Sequence, residues 1–116
     1  MAITKITTAA PEKGTFGVTC TFTDEDGDAL TPATLTWTLT DMDGSVINSR
    51  QDVSVSSLSS AVTVVLSGND LALTTTTTTG RKRRFAIEGT YDSDLGTGLP
   101  LTAECEFSID SYLGVT

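Results

Sequence analysis

An all-β, antiparallel β-sandwich of seven or eight strands is what this 116-residue chain predicts. Three observations lead there. Several segments alternate apolar and polar residues with the two-residue period of a half-buried strand, most clearly TLTWTLT at 34–40 and LTAECEFSI at 101–109. Turn signals separate these segments at the spacing of short strands, among them Asp26-Gly27, Asp43-Gly44 and the glycines of DSDLGTGLP. No stretch carries the 3.6-residue apolar period of an amphipathic helix.

The organising strand is Thr34–Thr40, where Leu35, Trp37 and Leu39 share one face and four threonines the other. Threonine and tryptophan both suit a pleated surface, and the single tryptophan is placed at the centre of the core. Before it, residues 3–8 (ITKITT) read as a short edge strand, broken by Ala9, Ala10, Pro11 and Gly14. Phe16, Val18, Cys20 and Phe22 alternate along a strand from Thr15 to Thr23. DEDGDALTP is a turn region in which Pro32 excludes a central-strand position.

After the organising strand, Asp41–Gly44 makes a turn that sends Val46 and Ile47 back as a short hairpin strand. Gln51–Ser57 has Val53 and Val55 in an edge-strand pattern, and Ala61–Leu66 is β-branched enough to read as an inner strand. Within Ser67–Leu73, Asn69 or Asp70 is expected to cap a single helical turn with Leu71 or Leu73 tucked under the sandwich. The six threonines Thr74–Thr79 have β-propensity without an apolar face. Gly80 and the basic run Arg81–Arg84 follow. A strand over about 84–91 carries Phe85, Ile87, Gly89 and Tyr91; the last strand holds Leu101, Ala103, Cys105, Phe107 and Ile109 inward, with Glu104, Glu106 and Ser108 outward.

One domain over 1–116 accounts for this length. With 38% hydrophobic and 19% charged residues, serine and threonine fill the outer faces. The net charge of −8 argues against nucleic acid as a partner. No apolar run opens the chain and none approaches membrane-spanning length, so neither a signal peptide nor a membrane span is expected. Histidine is absent, which removes Ser-His-Asp catalysis, histidine metal sites and histidine pH switches. Cys20 and Cys105 lie on the apolar sets of their strands and read as buried thiols, with cross-sandwich pairing open under oxidising conditions.

The order of Cys20, Trp37 and a late cysteine resembles the Cys–Trp–Cys arrangement of immunoglobulin-like sandwiches, although Cys105 falls on the last strand rather than the one before it. A second resemblance covers roughly residues 21–109. The strings TWTLTD–DG, VLSG–DLAL and EGTYDSDLG look like those of small immunoglobulin-like virion proteins of tailed bacteriophages. That resemblance implies a non-enzymatic structural protein of the virion, made in the host cytoplasm. Capsid decoration through binding to the major capsid protein leads; a neck or tail adaptor, or an adhesin-like or carbohydrate-binding module, are the alternatives. It brings no cofactor, no metal and no catalytic residue.

The binding candidates are two. Arg81, Lys82, Arg83 and Arg84 read either as a solvated loop end or as a docking contact for carboxylates on another subunit, including a neighbouring copy of the chain. The threonine tract, with Thr74, Thr76 and Thr78 on one side, reads as a loop or as an extended segment able to add to a neighbour's sheet edge. Asp24, Asp26 and Asp28 have the 1-3-5 spacing of a calcium loop, but Ala29 stands where its glycine belongs and Leu35 where its glutamate does, so Asp-Gly turn chemistry is preferred.

Overall fold

The computed structural model describes residues 2–3, 9–73 and 82–110, with backbone alone at 2–3. Eight strands and one 3-10 turn appear in the order β1 (Ala2–Ile3), β2 (Ala10–Pro11), β3 (Thr15–Thr21), β4 (Thr34–Thr40), β5 (Val53–Ser54), β6 (Ala61–Ser67), the turn Gly68–Leu71, β7 (Lys82–Ser93) and β8 (Gly96–Asp110). They form two sheets, β1-β3-β6 and β2-β8-β7-β4-β5. This is the sandwich expected. β3 and β6 stand in one sheet and β4, β7 and β8 in the other.

The alternation sets the core. Val18 and Cys20 of β3 and Val62, Val64 and Leu66 of β6 face Leu35, Trp37 and Leu39 of β4, Phe85 and Ile87 of β7, and Leu101, Phe107 and Ile109 of β8. Trp37 stacks on Phe85 with ring centres 5.5 Å apart, and Phe16 meets Phe107 from the opposite sheet at 5.2 Å. Such aromatic pairs add about 0.5–1.5 kcal/mol beyond their buried area. Gly89 on β7 lies opposite Leu35 of β4, and a Cβ there would run into the carbonyl oxygen of Thr34. Only glycine lets the two backbones approach so closely.

Five expectations are corrected. Ala10–Pro11 does not merely interrupt the chain: it forms β2, which runs parallel to the end of β8. The N-terminal segment therefore gives β1 to one sheet and β2 to the other, and Pro11 is tolerated because β2 is an edge. β6 is likewise an edge strand, not an inner one; β3 is its sole strand partner among the described residues. Its β-branched composition reflects burial of one face, which an edge strand shares.

Val46 and Ile47 do not extend into a strand. Val46 makes one bridge to Thr40, the Ile47 amide donates to the Leu39 carbonyl, and the chain then turns through left-handed Asn48 and Ser49, with φ of 52° and 57°. Most of DSDLGTGLP is strand: β7 and β8 pair out to Ser93 and Gly96 around the two residues Asp94 and Leu95, with an irregularity between Tyr91 and Ser93. Finally, Ser67 is the N-cap of the 3-10 turn and Asp70 sits inside it. Leu71 is buried beneath, as expected.

Residues 4–8 of the proposed first strand lie outside the described residues. Among those described, no helix is long and apolar enough to cross a membrane.

Candidate functional site

Strand alternation divides the basic run. Arg83 shares its parity with Phe85 and Ile87, so its side chain points inward and is 0% exposed. Its guanidinium donates to the carbonyl of Ala72 at 2.7 Å and of Lys82 at 2.9 Å. Burial depresses its pKa and the nearby Asp41 carboxylate opposes that shift. The expectation that Arg83 belongs to an exposed docking patch is thereby corrected: it ties the start of β7 to the segment before residue 74. Lys82 and Arg84 point the other way. Arg84 reaches Glu104 of β8 at 3.7 Å, with the two side chains 42% and 53% exposed, a surface pair of small energetic weight. Arg81 and the candidate threonines Thr74, Thr76 and Thr78 lie outside the described residues.

The two Asp-Gly turns are built alike. Asp24 Oδ1 accepts from the amides of Asp26 and Asp28, both at 2.9 Å, and Asp41 Oδ1 from those of Asp43 and Ser45 at 2.9 and 3.0 Å. Gly27 and Gly44 supply the left-handed residue, with φ of 83° and 89°. The carboxylates of Asp24, Asp26 and Asp28 come within 4.8 Å of one another, and two amides already occupy one oxygen of Asp24. The turn accounts for all of this.

Both cysteines are free thiols, Cys20 buried and Cys105 half-buried. Burial pushes each up to about 11, helped at Cys20 by Cys105 and at Cys105 by Glu104. Thiols this high are neutral and poorly nucleophilic at ordinary pH.

One buried charged contact went unread in the sequence. Asp70, 1% exposed, accepts from Arg50 Nε at 2.8 Å, Asn48 Nδ2 at 2.9 Å and the Ser67 amide at 3.1 Å. Burial alone raises its pKa, but these hydrogen bonds and the Arg50 charge outweigh it and hold the carboxyl below its usual range. Arg50 also lies 5.8 Å over the Trp37 ring. The network joins the turn after β6 to the loop before β5. The one available signal was the Ser67-x-x-Asp70 spacing of a capping box.

Two surfaces remain as binding candidates. The outer face of the larger sheet has a shallow hollow floored by Ala86 and walled by Thr38, Asp52, Glu88, Thr102 and Glu104. The outer face of β3 and β6 presents Thr15, Gly17, Thr19 and Thr21 beside Ala61, Thr63, Val65 and Ser67, all exposed and none charged. Thr19 and Thr63 share a hydroxyl hydrogen bond of 3.0 Å across it. Compared with known proteins, the chain matches no family model, no curated protein and no solved structure.

Proposed function

We propose that the protein is a non-enzymatic structural component of a bacteriophage virion that decorates the capsid by docking on the major capsid protein. The observation that carries this reading is the uncharged outer face of β3 and β6 in a chain holding 15 acidic and 7 basic residues. A flat surface of hydroxyls and small side chains can be laid against another protein with little desolvation of charge. The virion strings noted in the sequence favour the same role. Binding there acts by mass action: a protein that recognises the assembled shell and not its free subunits stabilises the shell.

A second reading, a neck or tail adaptor, draws on the β7–β8 hairpin. β4 accompanies β7 only as far as Thr90, so beyond that point the two strands form a ribbon of their own, with Leu95 at its tip 70% exposed. A protruding apolar tip suits head-to-tail contacts around a ring.

Quantitative mass spectrometry of the source particle tests both. Copy number in proportion to the shell protein supports decoration; a ring's complement supports the adaptor; absence from the particle refutes both. Co-sedimentation with purified shells then separates the surfaces. Thr19→Lys should abolish binding through the β3–β6 face, whereas Leu95→Ser should abolish binding through the hairpin.

A further inference from the structure

The four sheet edges are unequal. β2 and β5 are stubs of two residues, β2 ends in a proline, and β1 is described only at Ala2–Ile3. The fourth, β6, is 7 residues long and pairs with β3 without a break from Ala61–Thr21 to Ser67–Thr15. Proteins guard exposed edges with short strands, prolines, charged side chains or bulges. β6 has none of these. Its sequence is AVTVVLS, and no strand pairs with its free side among the described residues.

We infer that β6 is a self-association edge, through which two copies of the chain join by antiparallel β6–β6 pairing about a twofold axis. A second copy is the occupant that the strand itself specifies. Centred on Val64, the pairing sets Val64 against Val64, Thr63 against Val65 and Val62 against Leu66; it stops short of Ala61, whose amide and carbonyl are held by the Ser59 hydroxyl, and of Ser67, whose amide is held by Asp70. Each pair keeps its face: Val62, Val64 and Leu66 are buried and prolong the apolar row, while Thr63 and Val65 stay outward. Val65, 60% exposed in the single chain, is then covered by Thr63 of the second copy.

Charge does not stand against this edge. Two chains of net charge −8 repel, and the contact that costs least is one with no charged side chain facing its own copy. The closed twofold contact also uses up the edge in both copies, which stops further growth. The two three-stranded sheets become one of six strands, and its uncharged outer face is twice as wide.

Sedimentation equilibrium of the purified chain tests this directly. The expected result is an average mass rising with concentration toward twice 12.1 kDa. The double variant Thr63→Lys, Val65→Lys places lysines directly opposite one another. Both positions are exposed, so the monomer should fold, and association should weaken about tenfold or more. Hydrogen exchange of the unmodified chain gives an independent measure: β6 amides should gain protection as concentration rises, and those of β5 should not. A chain that stays monomeric at every concentration overturns the inference. So does an unweakened dimer of a folded double-lysine variant, or β6 exchange that ignores concentration. If the variant does not fold, exchange in the unmodified chain decides. The inference does not rest on a virion role; a monomer would leave the docking face of β3 and β6 untouched.

Discussion

Replacing Asp70 by asparagine keeps the shape of the turn after β6 and removes one charge. In the native chain the carboxylate is 1% exposed and accepts from Arg50, Asn48 and the Ser67 amide at 2.8–3.1 Å. Hydrogen bonds to a charged group contribute about 1.5–3 kcal/mol each when lost singly. The full sum does not apply, because the Arg50 side chain is 40% exposed and regains water when released. Asparagine still accepts with one oxygen, but its amide group meets the donors of Arg50 or Asn48. Asp70→Asn should therefore cost about 2–3 kcal/mol at neutral pH, against total stabilities of about 5–15 kcal/mol for domains generally. For a chain of this size that corresponds to a fall in Tm of about 10 °C. Urea titration followed by fluorescence of Trp37, the chain's one tryptophan, measures it.

Acid gives the sharper test. Asp70 is held below its ordinary value in the folded state, whereas in the unfolded chain it titrates near 3.9. Between those two values the unfolded chain binds a proton that the folded chain does not. The contribution is therefore complete above about pH 5 and lost as pH falls through the folded value. Asp70→Asn cannot titrate, so its deficit should shrink steadily below about pH 5. A neutral-pH deficit under about 0.5 kcal/mol would refute the reasoning, since that is the size of an ordinary surface change. A deficit that stays constant down to acid would do so as well, because it would mean a packing effect with no charge in it.

Other outcomes follow from the same contacts. Arg83→Ala should destabilise by about 2–4 kcal/mol, while Lys82→Ala and Arg84→Ala stay within about 0.5 kcal/mol; equal effects in thermal melts would contradict the inward placement of Arg83. Gly89→Ala must push β4 from β7 at the Thr34 carbonyl, at a cost of about 2 kcal/mol or more, and an unchanged Tm would show that the strands can part freely there. Both thiols, held up to about 11, should react with iodoacetamide far more slowly in the folded chain than in urea at pH 8. Their raised values also mean stability is retained below the unfolded thiol pKa and lost as pH climbs through 11, a decline to be read from melts in alkaline buffer.

The parity of Arg83 was open to view in the sequence, two residues before Phe85 and four before Ile87 on one strand face. Grouping it with its neighbours by charge concealed what the strand period stated. The Asp-Gly turns, by contrast, were read correctly because everything they need lies within five residues: one aspartate oxygen, two following amides and a glycine. The calcium-like spacing of the same aspartates belongs to that local geometry. Asp70 was less accessible. Its capping spacing is local, but its burial depends on Asn48 and Arg50, 22 and 20 residues earlier.

Sequence by itself determined which apolar residues face inward on β3, β4, β7 and β8, since a period of two is a property of each strand alone. It also determined the class of fold, because those faces need a second sheet to cover them. Which strands stand at the edges was decided only in three dimensions. β6 looked interior by composition and ended at a margin, and Ala10–Pro11 looked like a break and became a parallel partner of β8. Edge position depends on which distant segment supplies the next row of hydrogen bonds, and no single strand carries that information.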